Sequence, residues 1–109
     1  MTPGEAQKMA EEKWKAIAAG NRDIHPNRNC GWCEFGKALG GTGRGCLFCP
    51  VLRVHGVSCV ELQPLGDFLD IYSFGDYAEE ARAVYEFLCQ MGPQYIAAAH
   101  EILEELDAR

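Results

Sequence analysis

Four of the six cysteines fall within residues 30–49, as two Cys-x-x-Cys pairs, Cys30/Cys33 and Cys46/Cys49, separated by twelve residues. A thiol pair with this spacing can wrap both sulfurs around one metal ion. Two such pairs supply the tetrahedral set of four thiolates that structural zinc favours. The surrounding chain has reason to need it. Residues 21–56 are poor in apolar side chains, and Gly40-Gly41-Thr42-Gly43-Arg44-Gly45 loses much conformational entropy on ordering. Zinc binding, at ~10–16 kcal/mol in zinc-finger peptides, can offset that cost where no hydrophobic core is available. The expected metal ligands are therefore Cys30, Cys33, Cys46 and Cys49, holding Zn2+ in a structural role.

Competing assignments for these residues are weaker. A disulfide scaffold would have fifteen possible pairings of six cysteines, and small disulfide proteins normally carry an export signal. The N-terminal stretch MTPGEAQKMAEEKWKAIAAG is charged and lacks an apolar signal core, so a reducing cytoplasm is expected. Cys30-Gly31-Trp32-Cys33 has the form of a redox dithiol, but no apolar strand precedes it. Four thiolates would fill the metal sphere and leave no position for a catalytic water. The glycine run is no phosphate loop, because it lacks G-x-x-x-x-G-K-[ST].

The ligand set itself stays open at the edges. Cys59 follows ten residues after Cys49 and can replace one of the four, and His55 and His25 compete by proximity. As plain structural residues, His55 is expected in a turn, His25 in a loop and Cys59 as a small buried hydrophobe. Cys89 is expected to pack in a helix, and His100 to border an apolar helix face. Trp32 and Phe48, each preceding the second cysteine of a pair, are expected to shield the metal and join the core. The alternative is an exposed stacking pair for bases.

With 109 residues, 48% of them hydrophobic and 24% charged, the chain suits one globular domain and argues against wholesale disorder. No apolar run approaches the ~20 residues of a membrane span. Charge is uneven. Residues 1–55 carry eight Lys/Arg against five Asp/Glu, whereas residues 56–109 carry two Arg against eleven Asp/Glu.

Helical signals bracket the cysteine segment. Thr2-Pro3-Gly4-Glu5 fits a capping box with proline at the first helical position, and Gly20-Asn21 closes the helix. Between them Ala6, Met9, Ala10, Trp14, Ile17 and Ala18 form an apolar stripe. A helical turn is expected over 34–39, short strands over 51–55 and 57–62, a turn at Pro64-Leu65-Gly66, and a helical segment over 67–72. Asp76-Tyr77-Ala78-Glu79 suggests a second capping box, and Gly92-Pro93 suggests the break in a helical hairpin. The expected fold is mainly α and a single domain, 1–109: an N-terminal helix (1–20), a zinc-stabilised irregular module (28–62) and a helical pair (76–107).

The order of features resembles small cysteine-cluster proteins of bacteriophages and prophages. It comprises a helix with Lys13-Trp14, Cys30-x-x-Cys33, Cys46-x-x-Cys49-Pro50, Cys59, Pro64 with aromatics and a Tyr/Ala/Glu-rich helical tail. The resemblance implies a phage-encoded accessory protein with a structural metal, acting in the host cytoplasm. No Ser/His/Asp set, phosphate loop or open metal site is legible, so the chain is read as non-enzymatic. The expected partner is a protein, such as a nucleic-acid-handling host complex or a defence complex. The acidic residues Glu79, Glu80, Glu86, Glu101, Glu104, Glu105 and Asp107 could meet a basic surface on it, but the stronger expectation is that these helices turn them to water for solubility. Direct nucleic-acid binding through Lys37, Arg44 and Arg53 is the alternative. A small redox or hydrolytic enzyme comes third.

Overall fold

The computed structural model describes residues 1–21, 31–40, 48–72 and 75–108. Among these residues five α-helices follow in order: α1 (Pro3–Ala18), α2 (Gly31–Gly40), α3 (Pro50–His55), α4 (Gln63–Ile71) and α5 (Ala78–Asp107). A 3-10 turn, Cys59–Glu61, leads into α4. The fold is mainly α, with no strand among the described residues. None of the described helices is long and apolar enough to cross a membrane.

Helix α1 starts and stops where its caps dictate. The Glu5 amide donates to Thr2 Oγ1 at 3.2 Å, and the Thr2 amide donates to Glu5 Oε1 at 2.8 Å, completing the capping box. At the other end Gly20 takes φ +99°, its amide donates to the Ile17 carbonyl, and the Asn21 amide donates to the Ala16 carbonyl. This is a Schellman closure, and it needs a residue that tolerates positive φ. The buried stripe of α1 is Ala6, Gln7, Ala10, Lys13, Trp14 and Ile17. Met9, placed on that face by its hydrophobicity, is 37% exposed instead. It lies one position off a stripe that contains two polar residues.

Helix α5 is the spine. At ~1.5 Å per residue its thirty residues span ~45 Å, which accounts for the 47 Å long axis of the molecule. Helices α1, α3 and α4 pack along it, and α2 packs on α1. The expected helical hairpin is not formed, since the helix runs unbroken through Gly92-Pro93. Ala81, Val84, Leu88, Gly92, Tyr95, Ala99 and Ile102 are buried at three- and four-residue steps on both sides of the proline. That continuous burial outweighs the ~3 kcal/mol penalty of an interior proline. Pro93 itself points to solvent, and Gly92 lies against Gln7.

Other expectations need correction. Residues 51–55 are helical, because Pro50 starts α3 and Gly56, at φ +75°, ends it after six residues. Residues 57–62 form no strand but a loop and a 3-10 turn. Pro64 is not a turn marker. It occupies the first turn of α4, where a missing N–H costs nothing. The second capping box is replaced by a shorter device, in which Asp76 Oδ1 accepts from the Ala78 amide at 3.0 Å. Of the glycine run, Gly40 ends α2 and residues 41–45 lie outside the described residues.

Two aromatic groups fill the core. Trp14, Phe68 and Tyr77 meet edge to face, with centroids 4.8 Å and 5.2 Å apart, joining α1 and α4 to the start of α5. Trp32 meets Phe35 and Tyr95 at 5.5 Å and 6.3 Å, joining α2 to the middle of α5.

Candidate functional site

Helix α2 reaches its place through an unusually close approach. A Cβ on Gly31 would lie 1.9 Å from the Ala6 carbonyl oxygen and 2.9 Å from the Ala10 nitrogen. Only glycine at this point, facing the alanines of α1, lets the two backbones touch. The contact delivers Trp32 into the core at 1% exposure and puts Cys33 in the first turn of α2. Cys49, the second cysteine of the other pair, is the N-cap of α3 and is itself buried in the core. Both pairs thus end on anchored helices.

Cys30 and Cys46 lie outside the described residues, as does His25. The four-thiolate set is therefore represented by Cys33 and Cys49. Among the described residues, no three His, Cys, Asp or Glu side chains converge as a metal site. Cys33, Cys49, Cys59 and Cys89 are thiols, not disulfide halves.

The remaining candidates separate clearly. Cys59 is half-buried and lines the same cavity as Cys33. His55 is no open turn residue. Its Nε2 lies 2.8 Å from the Tyr95 hydroxyl, and its ring meets those of Phe87 and Tyr95 at centroid distances of 5.8 Å and 5.7 Å. Cys89 packs as expected, but it also donates to Glu11 Oε1 at 3.3 Å. Burial pushes its thiol above the ordinary value, Tyr85 pulls it down through a hydrogen bond, and Glu11 raises it further. His100 is exposed and not interfacial. Trp32 joins the core, as the packing reading expected, and Phe48 is half-buried.

The residue that sequence reasoning missed is Gln7. Only 4% exposed, it joins three helices. Trp32 Nε1–H donates to Gln7 Oε1 at 2.8 Å, and Gln7 Nε2–H donates to the Leu88 carbonyl at 2.8 Å and to Glu11 Oε2 at 2.7 Å. The indole beside Cys33 is held in orientation by this amide. Its signal in the sequence is a glutamine standing in the register of an apolar stripe.

A cavity of about 240 Å³ opens beside the cysteine helices. Its walls come from Trp14 of α1, Trp32 and Cys33 of α2, and Val84, Phe87 and Leu88 of α5. The segment Cys59–Leu65 closes one side with Val60, Leu62 and Leu65. Lys13, 7% exposed with Nζ 5.5 Å from the Trp14 ring centroid, is the one charged residue among those described that line it.

The basic residues proposed for nucleic acid are engaged elsewhere. Lys37 Nζ lies 3.6 Å from Glu34. Arg53 forms a two-pronged pair with Glu105 and lies 3.3 Å from Glu101. Arg44 falls outside the described residues. Comparison of the chain with protein-family models, curated proteins and solved structures returns no match.

Proposed function

We propose that this chain is a non-enzymatic, zinc-stabilised protein-binding module of the phage accessory type, which modulates a host protein or complex. The observation that carries the reading is the anchoring of one cysteine from each pair, Cys33 and Cys49, on helices that pack into the same domain. A metal bound by the four thiolates Cys30, Cys33, Cys46 and Cys49 would cross-link α2 and α3. It would also offset the entropy lost on ordering the glycine-rich segment between the pairs. The binding surface is the stretch after α3 within this module, where Val57 and Val60 are exposed at 36% and 47%. Direct nucleic-acid binding is less well supported, because Lys37 and Arg53 already face carboxylates.

Elemental analysis of protein purified under reducing conditions tests the metal. One zinc per chain is expected, lost in Cys33→Ser and in Cys49→Ser. A metal-free protein that stays folded in strong chelator overturns the reading. Binding is tested by cross-linking and affinity capture from a host lysate. The double variant Val57→Asp/Val60→Asp is expected to lose the captured protein while keeping its zinc and helicity. Salt-sensitive retention on random DNA, unchanged in that variant, would favour the nucleic-acid alternative instead.

A further inference from the structure

The two cysteine-bearing helices rest on different neighbours. Helix α2, with Cys33, packs on α1, and α3, with Cys49 as its N-cap, packs on α5. Between themselves α2 and α3 share little contact. Tyr95 of α5 touches both. Its ring meets that of Trp32, the residue before Cys33, edge to face at a centroid distance of 6.3 Å. The same ring meets His55 of α3 edge to face at 5.7 Å, and its hydroxyl lies 2.8 Å from His55 Nε2. Tyr95 is fully buried in the middle of α5, where close packing leaves it little room to move. Helix α3 needs such a hold. Helices below ~12–15 residues are marginal alone in water, and this one has six, with no side-chain bond at its N-cap. Its ion pairs to Glu101 and Glu105 are solvent-exposed, and exposed pairs contribute little. The docked position of α3 therefore depends on its buried side, where Val51 joins the core and His55 meets Tyr95.

We propose that Tyr95 is a positioning residue for the metal, holding the Cys33 and Cys49 ends of the two pairs in place before an ion binds. It acts through Trp32 and His55 and is not itself a ligand. The inference rests on the zinc reading above and adds to it the residue that sets the spacing of the two halves. A site whose halves are already placed binds more tightly, because less ordering is left to the binding step. Where α3 is docked in only a fraction of the metal-free chains, the apparent affinity falls by that fraction. Few contacts hold α3, so losing the Tyr95–His55 contact lowers the docked fraction by nearly the full equilibrium worth of one hydrogen bond, about five-fold.

The test measures zinc affinity of the full-length protein by competition with a chelator of known affinity. Tyr95→Phe keeps the ring against Trp32 and removes the hydroxyl, and it is expected to weaken zinc binding about five-fold. His55→Leu should weaken it by at least a similar factor, and the double variant no further than His55→Leu alone, because both remove the same contact. Saturated with Co2+, both single variants should show the wild-type ligand-field spectrum, since neither residue is a ligand. Phe68→Leu loosens the separate group of Trp14, Phe68 and Tyr77, and should leave zinc affinity within about two-fold. A purely structural role for Tyr95 would make these two variants behave alike. The proposal is overturned if Tyr95→Phe binds zinc as wild type does, if Phe68→Leu weakens binding as much, or if the double variant loses the product of the two factors. A changed cobalt spectrum in His55→Leu would overturn it as well, by making His55 a ligand. Wild-type protein that binds no zinc removes the metal reading and this inference together, whereas zinc-binding wild type with an unaffected Tyr95→Phe removes this inference alone.

Discussion

Replacing Gln7 by leucine removes the amide that ties α1, α2 and α5 together while leaving a side chain of similar size. The Trp32 indole N–H, 1% exposed at the residue level, would lose its acceptor at 2.8 Å, and an orphaned buried donor costs about 1–3 kcal/mol. The bond to the Leu88 carbonyl accounts for about 1 kcal/mol more. Leucine returns about 1 kcal/mol through apolar burial at a 4% exposed site. The net expectation is a loss of about 2 kcal/mol. With a urea slope of about 1–3 kcal/mol/M, that lowers the unfolding midpoint by about 1 M. Helical circular dichroism in urea reads the shift, and an unchanged slope would confirm that only stability moved. The decisive control is the cycle with Trp32→Phe, which removes the donor itself. The double variant should be more stable than the sum of the two losses by about 1 kcal/mol or more. Wild-type stability in Gln7→Leu, or strict additivity in the cycle, refutes the view that this amide holds the indole in place.

Gly31→Ala drives a methyl into the Ala6 carbonyl, and backbone cannot yield as a side chain tip can. A loss of about 3 kcal/mol or more is expected in the same urea assay, against a small change for Gly4→Ala, which meets nothing within 4 Å. Pro93→Ala restores an N–H to the exposed face of α5 and should raise stability by about 1–3 kcal/mol; a fall would mean that the proline shapes how α5 wraps the core. The raised Cys89 thiol keeps its proton longer in the folded than in the unfolded chain, so its contribution is complete below the unfolded value and is lost as pH rises toward the folded one. Urea midpoints at about pH 7 and about pH 10 should therefore fall further for wild-type protein than for Cys89→Ala; parallel falls would contradict this.

The helices were legible wherever local chemistry sets them. Thr2, Pro3 and Glu5 specify the start of α1 without help from the rest of the chain, and Gly20 specifies its end. The same local logic failed at Gly92-Pro93. Read alone, that dipeptide stops a helix; read with the positions around it, it interrupts nothing. Val84, Leu88, Gly92, Tyr95 and Ala99 keep one buried register across it, and the energy of that burial comes from the helices packed along α5, which a local window cannot contain. The 51–55 run failed for a different reason. Five apolar-rich residues suit a strand or a helix, and what decided between them was Pro50 at one end and Gly56 at the other.

The candidate site divides along the same line. The cysteine pairs are visible in the sequence, because Cys-x-x-Cys is a local spacing. The groups that surround Cys33 do not, since each acts across a tertiary contact. Gln7 reaches Trp32 over twenty-five positions and the Leu88 carbonyl over eighty-one. Lys13 counts as a solvated charge in the sequence, yet it is 7% exposed and lines a cavity with residues of α2, α4 and α5. Gly31 looks like a turn residue inside Cys-Gly-Trp-Cys, whereas its lack of a side chain is what lets α2 touch α1. A polar residue in the register of an apolar stripe is the one trace all this leaves in the sequence. Gln7 and Lys13, six positions apart on α1, both carry it. One orients the indole beside Cys33, and the other supplies the charge at the cavity wall. A reading that scores such positions as errors in the stripe discards the residues that distinguish this helix from a plain packing element.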